Sequence, residues 1–215
     1  MVIHGHANNF RRTSIILGVT FILIWALAAP SQAAGITGRV IPQGLRSAEG
    51  ILVYVVKAPI AASAVSETEY VLDQRQLTFI PHILPLTVGS KVKFPNNDKV
   101  AHNVFSLSRA KEFNLGSYEV GQSKTEVFDK PGVVEIRCDV HQEMSAFILV
   151  LKNPYFAVTD KEGRFAIPNL PAGSYQVKTW HEKLRTARQK VAVPENNGVS
   201  IQFKPKRGSA GVLYK

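Results

Sequence analysis

At 215 residues the chain has room for one or two domains, and its 45% hydrophobic content with 15 Gly and 12 Pro excludes a disordered polymer and favours a turn-rich globular fold. Its 26 Lys and Arg against 16 Asp and Glu give a formal charge of +10, but no basic motif is interleaved with aromatics, so nucleic acid is not the expected partner. The single cysteine excludes an internal disulfide.

Arg11 and Arg12 precede an apolar stretch over residues 14–29, and Ser31-Gln32-Ala33 supplies the small residues a signal peptidase needs. Residues 1–33 therefore read as a cleaved signal peptide that sends the protein to the periplasm. The apolar stretch is short for a span of roughly 20 residues, so no stable membrane insertion is expected after cleavage. The remaining chain holds 24 basic and 16 acidic residues, a net +8. Such a surface would steer association with acidic partner proteins or an anionic membrane face in a salt-dependent way. Exported cysteines usually pair. A solitary exported thiol is easier to understand if a metal holds it.

Residues 35–40 and 51–56 read as strands, rich in β-branched side chains and separated by a turn-forming stretch with Pro42, Gly44 and Gly50. The small residues of 59–66 show no useful period and read as a linker. Further strands are expected at 77–81, 85–88 and 91–94, with Gly89-Ser90 as a turn. Residues 109–124, with Gly116 and Gly121, read as an excursion across a sandwich; Tyr118 within it fits core or surface equally. In 133–138 the alternation puts Val134, Ile136 and Cys138 on one face and Glu135 and Arg137 on the other. Cys138 thus points inward at a strand end, and 146–151 resumes as a buried strand.

The run Cys138-Asp139-Val140-His141-Gln142-Glu143-Met144 holds the only cysteine and one of the two methionines. A thiolate, an imidazole and a thioether form a soft donor set; with a second imidazole, two His and one Cys around a long, weak axial Met suit electron-transfer copper. His102, in the strand-like 100–105, is the best candidate for that imidazole. A short loop collects three ligands at low entropic cost. A lone cysteine is more often a small buried hydrophobe, and a Cys/His pair can be a nucleophile and its activator, but no nucleophile motif surrounds this one. His82 reads as a surface or structural histidine.

Asn96-Asn97, then His102-Asn103-Val104, then Phe128-x-x-Pro131-Gly132, then Cys138-x2-His141-x2-Met144 resembles the plastocyanin and amicyanin type of cupredoxin over roughly residues 70–152. The resemblance implies a Greek-key β-sandwich with one type 1 copper, His102, Cys138 and His141 as equatorial ligands and Met144 as the axial one. It also implies that Asn103 ties the ligand-bearing regions together and helps hydrogen-bond the thiolate. Proteins labelled methylamine utilization protein share this look, but no residue here points to that substrate.

After Pro154, Thr159-Asp160-x-x-Gly163, then Phe165-x-Ile167, then Pro171-x-Gly173-x-Tyr175-x-Val177 alternates tight turns with short strands. It resembles the carboxypeptidase regulatory-like, transthyretin-related β-sandwich, a family that is usually non-catalytic. Trp180-His181 reads as a packed indole beside an exposed imidazole, 191–193 and 199–203 as closing strands, and 206–215 as a basic tail. The opening strands of such a sandwich stand at 36–56, about a hundred residues upstream. The expected architecture is therefore all-β and nested: 35–62 with 153–205 as one sandwich, and 63–152 inserted as the copper domain. The rival is two consecutive sandwiches, with 36–56 in the first.

The function expected is single-electron transfer between redox partner proteins through one copper. The alternative is copper storage or delivery by the same residues. An enzyme is not expected, because His82, His102, His141 and His181 are too few to add a multicopper cluster.

Overall fold

The computed structural model describes residues 1–2, 35–58, 69–195 and 197–208. The expected signal peptide, the 59–66 linker and most of the basic tail lie outside the described residues. Alternating β-branched and aromatic positions, broken by Gly and Pro turns, give seventeen strands and no helix among the described residues. None of the described residues forms a helix long and apolar enough to cross a membrane.

The first strands are β1 (Ile36–Val40) and β2 (Leu52–Val55). The middle of the chain contributes β3 (Glu69–Val71), β4 (Asp73–Arg75), β5 (Thr78–Ile80), β6 (Ile83–Thr87) and β7 (Ser90–Pro95). It continues with β8 (His102–Ser108), β9 (Lys111–Tyr118), β10 (Ser123–Phe128), β11 (Gly132–Arg137) and β12 (Ser145–Leu151). The last strands are β13 (Phe156–Val158), β14 (Arg164–Ile167), β15 (Gly173–Trp180), β16 (Arg188–Val193) and β17 (Val199–Phe203).

In the middle of the chain a five-stranded sheet, ordered β6-β12-β11-β8-β9, faces a three-stranded sheet, β10-β7-β3, with β4 and β5 as a separate hairpin. Leu86, Val92, Phe94, Val104, Phe128, Val134, Ile136 and Ile148 fill the space between them. Segment 109–124, expected as an excursion, is mostly strand: β9 closes one sheet, the turn at 119–122 crosses over, and β10 joins the other. Gly121 at φ +81° makes that crossing, its N–H donating to Asn96 O at 2.7 Å.

The first two strands and the last five meet in a second sandwich. β1 lies between β14, antiparallel with Gly38 opposite Phe165, and β17, parallel with Gly38 beside Ile201. β2 lies between β13 and β15, with β16 outside β15. Ile36, Val53, Val55, Phe165, Val177, Ile201 and Phe203 form the core between these sheets.

A third cluster, Leu52, Ile83, Phe147, Leu149 and Trp180, joins the outer faces of the two sandwiches. This explains why residues 146–151 of β12 read Ala-Phe-Ile-Leu-Val-Leu without a polar alternate: Ala146, Ile148 and Val150 enter the middle core, while Phe147 and Leu149 face the junction. Phe147 and Trp180 meet edge to face, their centroids 5.3 Å apart.

Candidate metal centre

Cys138 leaves β11 directly after Arg137, which pairs with Phe105 of β8. That register brings the thiol beside the start of β8, where His102 stands opposite Tyr118 of β9. The loop after Cys138 turns back at once, Met144 N–H donating to His141 O at 3.0 Å, so His141 comes up on the same side before β12 begins. One ligand atom each from His102, Cys138 and His141 lies within 4.8 Å of the others. Both imidazoles turn Nδ1 inward: His102 Nδ1 is 3.1 Å from His141 Nδ1 and 3.9 Å from Cys138 Sγ. His102 is 0% and Cys138 2% exposed, whereas His141 is half-buried and forms the solvent side of the site. Met144, 1% exposed, packs in the same core cluster as Cys138. Two imidazole nitrogens and a thiol sulfur within 4.8 Å of one another can hold a borderline or soft transition-metal ion.

The outer nitrogen of His102 was not anticipated from the sequence. Nε2 lies 2.9 Å from Asp98 Oδ2, both side chains being at most 7% exposed. Burial raises the Asp98 pKa, but hydrogen bonds from the Leu77 N–H, the His102 ring and the Lys99 N–H outweigh it and hold the carboxyl at about 2. The supporting loop is pinned by Asn96, fully buried, whose Nδ2 donates to Val100 O and Tyr118 O while its Oδ1 accepts the Asp98 N–H. An acid four residues before the candidate ligand was the available signal.

Asn103 departs from the expectation set for it. Its Nδ2 donates to Asn114 Oδ1 of β9 at 2.9 Å rather than to the ligand loop, and the β8–β9 register shifts between Asn103 and Phe105. Tyr118 is core. Its hydroxyl donates to Phe94 O and accepts from Gln74 Nε2, and burial pushes its pKa up to about 12.

His82 and His181 lie at the junction of the sandwiches. His82 faces Ser145 O with Nδ1 (3.1 Å) and Glu182 Oε1 with Nε2 (3.0 Å). Both partners are acceptors, so the imidazolium satisfies both bonds. His181, expected to be exposed, is largely buried, its side chain 12% exposed and its Nδ1 3.1 Å from Glu182 Oε2. Burial lowers its pKa. The reason is the junction itself, which closes over the end of β15.

No protein-family model matches the chain, and no curated protein does. Among solved structures it is similar to a purple cupredoxin from Nitrosopumilus maritimus, at 24% identity and TM-score 0.34, over 39% of this chain and 98% of that one. It is also similar to amicyanin in a reduced mutant form, at 22% identity and TM-score 0.36, over 46% of this chain and 97% of that one. An oxidised amicyanin mutant matches at 20% identity and TM-score 0.36, with the same coverage of 46% and 97%.

Proposed function

We propose that this protein, exported to the periplasm, binds one copper ion through His102, Cys138, His141 and Met144 and carries single electrons between redox partner proteins. The observation that carries this reading is the convergence of two inward Nδ1 atoms and the Cys138 thiol within 4.8 Å. The three side chains come from a strand start, a strand end and a loop tied back on itself, so they hold a fixed geometry and little reorganisation accompanies a change of charge. Copper bound there supplies the one-electron couple. His102, Cys138 and His141 would act as the equatorial donors, and Met144, the next buried donor of the same loop, as the weak axial one. Burial of His102, Cys138 and Met144 keeps water away from the donors and leaves His141 as the side from which electrons enter and leave.

Storage or delivery of copper would need donors that an acceptor can reach, and three of the four are at most 2% exposed. The basic surface supports acidic redox partners. The pairing of β1 with β14 and β17, and of β2 with β13 and β15, supports a nested organisation, with 63–152 as the copper domain inside a regulatory-like sandwich made of 35–62 and 153–205. That outer sandwich acts as a non-catalytic scaffold in this reading.

The visible spectrum of the copper(II)-loaded protein tests the proposal. An intense blue or green band from thiolate charge transfer is expected, and Cys138→Ser should erase it. A colourless, folded, copper-loaded protein would overturn the assignment.

A further inference from the structure

The carboxylate of Asp98 sits at the back of His102 in a setting that leaves it no freedom. Oδ2 is 2.9 Å from His102 Nε2 and accepts the Leu77 N–H at 2.7 Å, while Oδ1 accepts the Lys99 N–H at 2.8 Å. Its own N–H is tied to Asn96 Oδ1 at 3.1 Å. A carboxylate only accepts, so the hydrogen of a neutral His102 ring belongs on Nε2, and the lone pair is left on Nδ1. Nδ1 is the atom that faces Cys138 and His141. Exchanging the tautomer would place a lone pair against the buried carboxylate, and flipping the ring would set a carbon there in place of Nε2.

We propose that Asp98 is a positioning residue of the metal centre: it locks His102 in the Nε2–H tautomer and, through that ring, shifts the bound ion toward its higher oxidation state. The proposal rests on the copper reading above, and adds a charge to it. A carboxylate on the far nitrogen makes an imidazole a stronger donor and orients it. A negative charge in a water-poor site favours the more positive of two metal states. A backbone carbonyl in the same place would orient the ring without adding a full charge. The sequence places an acid here, and the fold buries it.

Asp98→Asn in the full chain separates charge from geometry, because the amide oxygen can still accept from Nε2 and Leu77. Copper(II) and copper(I) affinities, the reduction potential and the nitrogen-15 shifts of His102 in the metal-free protein are the readouts. We expect the wild-type His102 as the Nε2–H tautomer. We also expect copper(II) binding about 10- to 100-fold weaker in Asp98→Asn, with copper(I) binding much less affected. The potential then rises by about 59 mV for each tenfold change in the affinity ratio, and Asp98→Glu recovers part of the shift.

A folded Asp98→Asn protein with an unchanged affinity ratio overturns the proposal, as does wild-type His102 carrying its hydrogen on Nδ1. If Asp98→Asn does not fold, the potential of Asp98→Glu and the wild-type tautomer decide. If the wild type takes up no copper with colour, the copper reading falls by itself. Cobalt(II) affinity, expected to drop by about 10- to 100-fold in Asp98→Asn, then decides on Asp98.

Discussion

Cys138, His141 and Met144 are three residues apart in the chain and enter the site in three different ways. Cys138 is aimed by the alternation of β11, His141 by the turn that Met144 N–H closes on it, and Met144 by burial in the core below. Removing the thioether should therefore leave the plane of donors standing. Met144→Leu, close in volume and apolar, is expected to cost less than about 1.5 kcal/mol of stability. It should keep the charge-transfer colour while the reduction potential rises, because a weak donor to the metal is lost. Cyclic voltammetry on the coloured variant checks this; an unchanged potential would remove Met144 from the ligand set.

Among the elements, the turn between β13 and β14 shows how local chemistry anchors a long-range pairing. Asp160 Oδ1 accepts the N–H groups of Glu162 and Arg164, and Gly163 N–H donates to Asp160 O. Gly163 O then accepts the Val40 N–H at 2.8 Å, which ties this turn to the end of β1 more than a hundred residues earlier. Gly163 has φ +76°, and a Cβ there would stand 2.2 Å from Val40 O. Gly163→Ala is expected to lose at least the roughly 1–3 kcal/mol of a non-glycine left-handed residue. Urea unfolding measures the loss. A loss near zero would show that the turn can move without disturbing β1.

At the scale of the whole molecule, the junction between the sandwiches contains both an apolar seal and an ionic one. The hydrogen bond to Glu182 raises the His82 pKa above 6.5, against burial, which lowers it. For Glu182 burial raises the pKa, but the bond from His82 and the nearby His181 bring it below 4.5. The His82 contribution is complete below its unfolded pKa and is lost as pH rises through the raised folded one. The Glu182 contribution is present above its unfolded pKa and is lost as pH falls through the lowered one. The latch is therefore strongest in the mildly acidic range. Burial lowers the His181 pKa, so His181 works in the opposite sense as pH falls, and Lys183 opposes the charge on His82. Urea midpoints of wild type and His82→Gln should converge as pH rises above the His82 pKa; a difference independent of pH would mean that the bond to Glu182 does not set the latch.

The apolar seal leads to a second expectation at this scale. A fragment of residues 63–152 is expected to fold and bind copper, but to self-associate through Ile83, Phe147 and Leu149, which the other sandwich covers in the full chain. Size-exclusion chromatography with copper titration tests both parts. A fragment that stays unfolded would sink the nested reading of the copper domain.

The all-β class, most strand positions and the meeting of His102 with Cys138 and His141 could be read from the chain. Alternation and turn chemistry act over a few residues, and Cys138-x2-His141-x2-Met144 is itself a local pattern. The place of Asp98 had only a weak signal, its spacing of four before His102, because an acid in an Asn-Asn-Asp-Lys loop looks solvated until the fold places it behind an imidazole. Asn103 was misread for a similar reason: its partner Asn114 lies on the neighbouring strand, and cross-strand register has no local signal. The unbroken apolar run of β12 announced burial on both faces, but not what would cover the second one. Of the two organisations the chain left open, the tertiary structure pairs β1 and β2 with strands more than a hundred residues later, and it alone decided that β2 and β15 cover β12 and that Glu182 stands between two imidazoles. Such contacts depend on which edges and faces remain unpaired after local structure has formed, and that choice is made by the whole chain at once.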